Sequence, residues 1–278
     1  MYERTVVGWD GNAPAQAAVD WAVRRVSGRG DALLIVSVVD DTLLDADEAE
    51  TRWAVAVSTF ALAEAAARLR TAHPELEVDT AVAVGEPAER LNEYADSGSL
   101  IVVGSEHSHT DDYWYSSRLG ARLAATATGA VAVIPVADGR RRSGVIVGIG
   151  GANEPLVVGL FAAELADLRG EDLHLVYARA DHGDGSDASS RDSDEAVLDR
   201  AQIAISRAFP ALAVHRHIEH TTPATALLLR ARGASLLVVG ARRPGVARRL
   251  FLGSVSHTLV NNAPCPTIVV AKRVKAPM

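Results

Sequence analysis

The sequence predicts an α/β protein built as two tandem, doubly wound parallel five-stranded sheets. Three observations carry that prediction. Near-continuous Val/Ile/Leu runs alternate with segments of helical period, the pattern of repeated strand–helix units. Runs such as Leu33–Val39 and Leu100–Val103 are apolar almost throughout, as expected of parallel strands covered on both faces. The second half also repeats the first. Pro87-Ala88 matches Pro223-Ala224, Leu100-Ile-Val-Val-Gly104 matches Leu236-Leu-Val-Val-Gly240, and Val131–Ile134 matches Thr267–Val270, all at an offset of 136.

The first strands, Thr5–Gly8 and Val145–Gly148, are offset by 140, so the first copy carries four extra residues in its middle. A period this long marks domain duplication, not a solenoid. The expected division is residues 1–137, a polar linker 138–143, and residues 144–278. The linker, Asp138-Gly-Arg-Arg-Arg-Ser143, is basic and lacks apolar residues.

Each element has a local reason. After the first strand, Asn12 and Pro14 are a helix start signal, repeated as Asn153 and Pro155. Ala18, Trp21, Ala22 and Arg25 share one face of the helix that follows. Leu33–Val39 is the second strand, and a long helix after it groups Trp53, Val57, Phe60 and Ala61 on one face. Third, fourth and fifth strands follow in alternation with helices. In the second copy, Asp181–Glu195 (DHGDGSDASSRDSDE) reads as a solvated, mobile loop. Its spacing does not match that of an EF-hand calcium loop.

Composition narrows the function. The chain has 278 residues, 48% hydrophobic and 23% charged, enough for a packed core in each copy. A net charge of −7 argues against a general nucleic-acid or anionic-membrane binder. The single cysteine, Cys265, excludes an internal disulfide and reads as a small structural residue. The start, Met1-Tyr2-Glu3-Arg4, lacks signal-peptide character, and no run of 18 apolar residues exists. A cytoplasmic location is therefore expected. No catalytic set stands out, which points to binding in preference to turnover.

In a doubly wound sheet, ligands sit beyond the carboxyl ends of the strands where strand order reverses. With the order 3-2-1-4-5, that crevice lies between the first and fourth strands. The informative residues are Gly8-Trp9-Asp10-Gly11 and Gly104 onward in copy one, and Gly148-Ile149-Gly150-Gly151 and Gly240 onward in copy two. Copy two reads Gly240-Ala-Arg-Arg243, nine residues, then Gly253-Ser254-Val255-Ser256-His257, with Pro264-Cys265-Pro266 before the last strand.

These motifs resemble the universal stress protein family, over nearly the whole chain and twice. The family has an Asp after strand one that holds the adenosine end of ATP, and a G-x2-G-x9-G-[ST] loop whose N–H groups and hydroxyl hold the phosphates. The resemblance implies ATP as ligand, with Mg when ATP is bound. It also implies pairing of the last strands of the two copies, a pseudo-dimer within one chain, and a homodimer of such chains. Self-phosphorylation at Ser254 or Ser256 is a further implication.

The two copies divide the family's features. Copy one keeps Asp10 and Gly104, but Ser117-Arg118 stands where Gly-Ser would fall. Copy two keeps most of the loop, with Arg243 in place of the second glycine and Gly150 in place of the Asp. From 104 to 118, Glu106, Asp111 and Asp112 against Arg118 leave a net −2; from 240 to 254, Arg242, Arg243, Arg248 and Arg249 give +4. Polyphosphate should be repelled by the first loop and attracted by the second. Copy two is the expected site, with contacts from Gly240, Arg243, Gly253, Ser254 and Val255, and Val176 or Tyr177 beside the base. The alternative is a fold whose crevices no longer bind, acting as an interaction protein.

Other clusters carry weaker signals. His107 and His109 with Asp111 and Asp112, and His215, His217 and His220 along the third strand of copy two, have metal-binding side chains. Polar surface is the plainer reading of both, and the third strand should be a sheet edge. Tyr113-Trp114-Tyr115 either stacks on a partner or plugs the first crevice.

Overall fold

The structure is a computed structural model. It describes residues 4–27, 31–43, 48–94, 96, 98–105, 114–150, 155–179, 187–241, 252–262 and 264–271. The first half runs β1 (Arg4–Gly8), α1 (Ala13–Val26), β2 (Ala32–Val39), α2 (Glu48–Ala72), β3 (Val78–Val84), α3 (Pro87–Asn92), β4 (Ser99–Ser105), α4 (Trp114–Thr126) and β5 (Ala130–Pro135). The second runs β6 (Val145–Gly148), α5 (Pro155–Arg169), β7 (Leu173–Ala178), α6 (Asp187–Ala208), β8 (Val214–Glu219), α7 (Pro223–Ala231), β9 (Leu236–Gly240), α8 (Ser254–Asn262) and β10 (Thr267–Val270).

Each half has five parallel strands in the order 3-2-1-4-5, as the sequence predicts. The two sets are joined edge to edge. β5 and β10 pair antiparallel, with Thr267 opposite Val133, Ile268 opposite Ala132 and Val269 opposite Val131, so one ten-stranded sheet runs through both copies. The expected pairing of the last strands thus occurs inside the chain. Both strands are buried almost throughout in the joined sheet, and the pairing satisfies backbone groups that each would leave open as an edge.

Helices cover the sheet on two sides. On one side α1, α2, α5 and α6 pack over Val7, Leu33, Leu100, Val147 and Leu175. On the other, α3, α4, α7 and α8 pack over Val6, Ile101, Ile146 and Leu237. Both layers run unbroken across the joint, one through Ile134 and Ile268, the other through Val133 and Val269. Each fully buried Leu or Ile in them contributes about 1.5–3 kcal/mol relative to exposure.

The helix starts follow their signals. Asn12 caps α1 by accepting from the Ala15 N–H at 2.8 Å, and Pro14 lies in the first turn. Ala18, Trp21 and Ala22 are buried, and the Arg25 side chain, only 6% exposed, meets Asp31 at 3.6 Å. α3 and α7 each begin with Pro after a capping side chain, Glu86 and Thr222. The linker is not slack: Ser143 N–H donates to the Gly233 carbonyl, and Arg142 bonds both Asp138 and the Arg232 carbonyl.

Trp53, Val57 and Phe60 share a face of α2, and it is the solvent face; the core face is Leu62, Ala65 and Ala66. One sequence expectation is corrected. Asp187–Glu195 is helical and belongs to α6, not to a loop. The buried Leu198, Ala201 and Ile205 anchor that helix, and its polar first half extends from them.

Candidate functional site

The strand order reverses between β6 and β9, and a cleft of about 360 Å³ opens there. Its floor is the carboxyl ends of three strands: Gly148 of β6, Val176, Tyr177 and Ala178 of β7, and Val239 and Gly240 of β9. Val158 of α5, Pro223 and Leu227 of α7, and Val255 and Ser256 of α8 form the walls. This is where a doubly wound sheet places its ligand, and the volume lies in the range of small-molecule sites.

Glycines shape the cleft by permitting close packing. A Cβ on Gly148 would stand 3.0 Å from Leu227 Cδ1, and one on Gly8, its counterpart, 3.1 Å from Leu91 Cδ1. Both first strands therefore end in Gly so that the helix starting at Pro87 or Pro223 can approach. Gly150 differs: a Cβ there meets nothing within 4 Å. The space beside Gly150 is therefore open.

At the far wall, α8 begins at Ser254. The Gly253 carbonyl accepts the first intrahelical bond from His257 N–H at 2.9 Å, which makes Gly253 the capping position. The N–H groups of Ser254, Val255 and Ser256 precede that bond, so the positive end of the helix lies at the cleft rim. Ser256 is buried and donates its hydroxyl to the Gly240 carbonyl at 3.0 Å, tying α8 to the end of β9. Ser254 is exposed. The two serines are therefore not equivalent: Ser254 alone presents its hydroxyl to solvent.

Copy one is arranged otherwise. A Cβ on Gly104 would stand 2.2 Å from the carbonyl carbon and oxygen of Pro14, so the first turn of α1 rests directly on the end of β4. At Gly240 the nearest atom is the tip of a side chain, Val158 Cγ2 at 3.1 Å. Gly104 is thus required by helix–strand packing. Asp10 is also engaged. Its carboxylate accepts from the Asn12 N–H at 3.1 Å and from Asn12 Nδ2 at 2.9 Å, holding the residue that caps α1.

The structure thus gathers Gly240, Val176, Tyr177 and Val255 at one cleft, with Gly253 and Ser254 beside it, and keeps Asp10 and Gly104 in the other half. Arg243 lies outside the described residues, as do Arg242, Arg248, Arg249, Glu106, His107, His109, Asp111, Asp112 and Tyr113. Sequence reasoning missed Val158 and Leu227. The signal for Leu227 was present in the repeat, since it matches Leu91 at the offset of 136.

The histidines form a different cluster from the one their spacing suggested. His215 faces Asp172 at 2.8 Å, while His217 Nε2 lies 3.1 Å from Nδ1 of His174, on the neighbouring strand. His174 enters because β7 and β8 pair with His174 opposite His215. Burial, and next the adjacent His215, hold His174 below the usual imidazole value; burial, and next Arg230, do the same for His217. Among the described residues no group of three or more His, Cys, Asp or Glu is placed to hold a metal ion.

Fold and cleft together define a duplicated, doubly wound α/β protein with a cleft at a strand-order reversal. The chain matches the universal stress protein family twice, over residues 1–135 and 143–271, and it belongs to that family. A universal stress protein of Mycolicibacterium smegmatis is 28% identical, covering 96% of this chain and 97% of its own length. One from Mycobacterium tuberculosis is 27% identical over 95% of this chain and 93% of its own. Among solved structures, a universal stress protein from Archaeoglobus fulgidus superimposes with a TM-score of 0.73 at 18% identity, covering 98% of this chain and 99% of that one. That likeness extends to the whole tandem arrangement.

Proposed function

We propose that this protein is a regulatory module that binds an adenine nucleotide in the cleft of its second half. The observation that carries the reading is the contrast between the two strand-order reversals. The cleft at β6–β9 is open and faces a helix start, whereas α1 rests on Gly104 in the first half. ATP is the proposed ligand, with Mg bound alongside it. Tyr177, Val176 and Leu227 offer an apolar surface for the base. The N–H groups at the start of α8, with Ser254 and the arginines between 242 and 249, supply donors and positive charge for phosphate. The open space at Gly150 leaves no carboxylate for the ribose, so base and sugar selection is relaxed.

The reading places two units, 1–137 and 144–278, in a cytoplasmic protein that changes its partner contacts on binding. It turns over little or no substrate. Slow transfer of phosphate to the exposed Ser254 is the one chemical step the geometry favours, and the buried, bonded Ser256 is not its target.

Titration calorimetry with ATP on the wild type and on Gly253→Asp tests the site. Asp is favourable at a helix cap, so α8 should persist while a negative charge enters the phosphate position. ATP affinity should fall at least about tenfold, or 1.4 kcal/mol. Equal affinity in the two proteins removes the cleft from consideration. No binding to either protein leaves the interaction-protein reading.

A further inference from the structure

We infer that a second copy of this chain docks on the solvent face of α2, with the two helices antiparallel across a two-fold axis. The face is apolar where it need not be. Trp53 is 69% exposed, Phe60 73% and Val57 47%, and they succeed one another at i, i+4 and i+7. At about 100° per residue they form one stripe, directed away from the core residues Leu62, Ala65 and Ala66. Among the other described helices no exposed large apolar side chains follow at i, i+4 and i+7: Ile203 on α6 and Leu229 on α7 stand singly, and Leu156 and Leu168 lie at opposite ends of α5.

The second half provides an internal control. α6 is the counterpart of α2 at the offset of 136, where buried Leu62 and Ala65 match buried Leu198 and Ala201. At the same offset Trp53, Val57 and Phe60 become Ser189, Ser193 and Ala196. The fold therefore does not need an apolar stripe on this helix. Two of the chain's eight Trp and Phe residues are spent on it nonetheless. Exposed aromatic clusters of this kind mark protein interfaces.

Charge selects the occupant. The stripe continues to Glu50 at one end and to Glu64 and Arg68 at the other, and the first turn adds Glu48. An antiparallel copy reverses the order, so Glu50 of each chain meets Arg68 of the other at both ends of the contact. Glu50 and Arg68 lie about 27 Å apart along the axis, and a crossing midway between them sets Phe60 against its own mate. The helix dipoles also oppose favourably. A contact between two helices is small against the roughly 800 Å² per partner of a standard interface, so association should be weak, about 1–100 µM.

Sedimentation velocity of the full chain from about 1 to 300 µM tests this. The wild type should pass from monomer to dimer, and Trp53→Ser and Phe60→Ala, which copy the second half, should each weaken association at least about tenfold. Glu50→Arg and Arg68→Glu should each weaken it, and the double variant should restore it. Unchanged thermal unfolding verifies that the variants fold, as their exposure implies. A chain that stays monomeric, a dimer indifferent to Trp53→Ser and Phe60→Ala, or a double charge swap that fails to restore association would each overturn the proposal. So would binding of the monomer to lipid vesicles through Trp53 with no self-association.

Discussion

The carbonyl of Pro14 lies against Gly104 so closely that a Cβ there would stand 2.2 Å away. Backbone cannot yield as a side-chain tip can. Gly104→Ala should therefore lose at least about 3 kcal/mol, the upper end of overpacking costs, in urea denaturation. Gly240→Ala meets only Val158 Cγ2 at 3.1 Å and should lose about 1 kcal/mol or less. Its main effect should fall on ligand binding, because its methyl enters the cleft floor.

Gly150→Asp should be accommodated, since its Cβ meets nothing within 4 Å and the backbone there is not left-handed. The new carboxylate should restore a ribose contact and raise affinity for ATP over deoxy-ATP by about 1–2 kcal/mol, a hydrogen bond's worth. Competition calorimetry with the two nucleotides measures it. No change in their ratio would mean that the ribose lies elsewhere.

The pair His174 and His217 should make stability fall in mild acid. Both are held below their usual value, burial being the first cause of each. Asp172 and Glu219 oppose the shift, while His215 and Arg230 reinforce it. Below about pH 6.5 the unfolded chain takes up protons that the folded pair refuses. The stability present above that pH is lost as pH falls through the lower folded values, and the loss then levels off. Denaturation midpoints from pH 8 to 5 should show this decline. It should be shallower in His217→Gln.

Cys265 should be unreactive until the protein opens. It is fully buried, and burial pushes its thiol up to about 12, so almost no thiolate exists at neutral pH. An aromatic disulfide reagent at pH 8 should label it no faster than the chain unfolds. Labelling at the rate of a free thiol would show that the turn before β10 opens locally.

Strands and caps were legible because their causes are local. Val/Ile runs and the Asn12–Pro14 signal need no knowledge of the rest of the chain. The orientation of α2 was not legible in the same way. Its sequence carries two apolar faces, one of Trp53, Val57 and Phe60 and one of Leu62, Ala65 and Ala66, and periodicity alone cannot decide which meets a sheet. The bulkier face is the outer one. The start of α6 was masked by composition, since Asp187–Glu195 has the residues of a loop and owes its helix to Leu198 and Ile205 further on. His174 joined His217 only once the register of β7 and β8 was known. The cleft fell between these cases. Strand ends marked Gly240, Val176 and Tyr177, but the tight packing at Gly104 depends on a long-range approach of Pro14.

The pairing of Val131–Val133 with Thr267–Val269 also bears on solubility in crowded surroundings. A five-stranded half standing alone would offer two strand borders to passing chains. Joined as it is, the sheet offers, among the described residues, only Val78–Val84 and Val214–Glu219 as its borders. The second of these is set with His215, Arg216 and Glu219, polar groups that discourage a stray strand from adding on. Duplication thus halves the number of places per domain at which aggregation can begin.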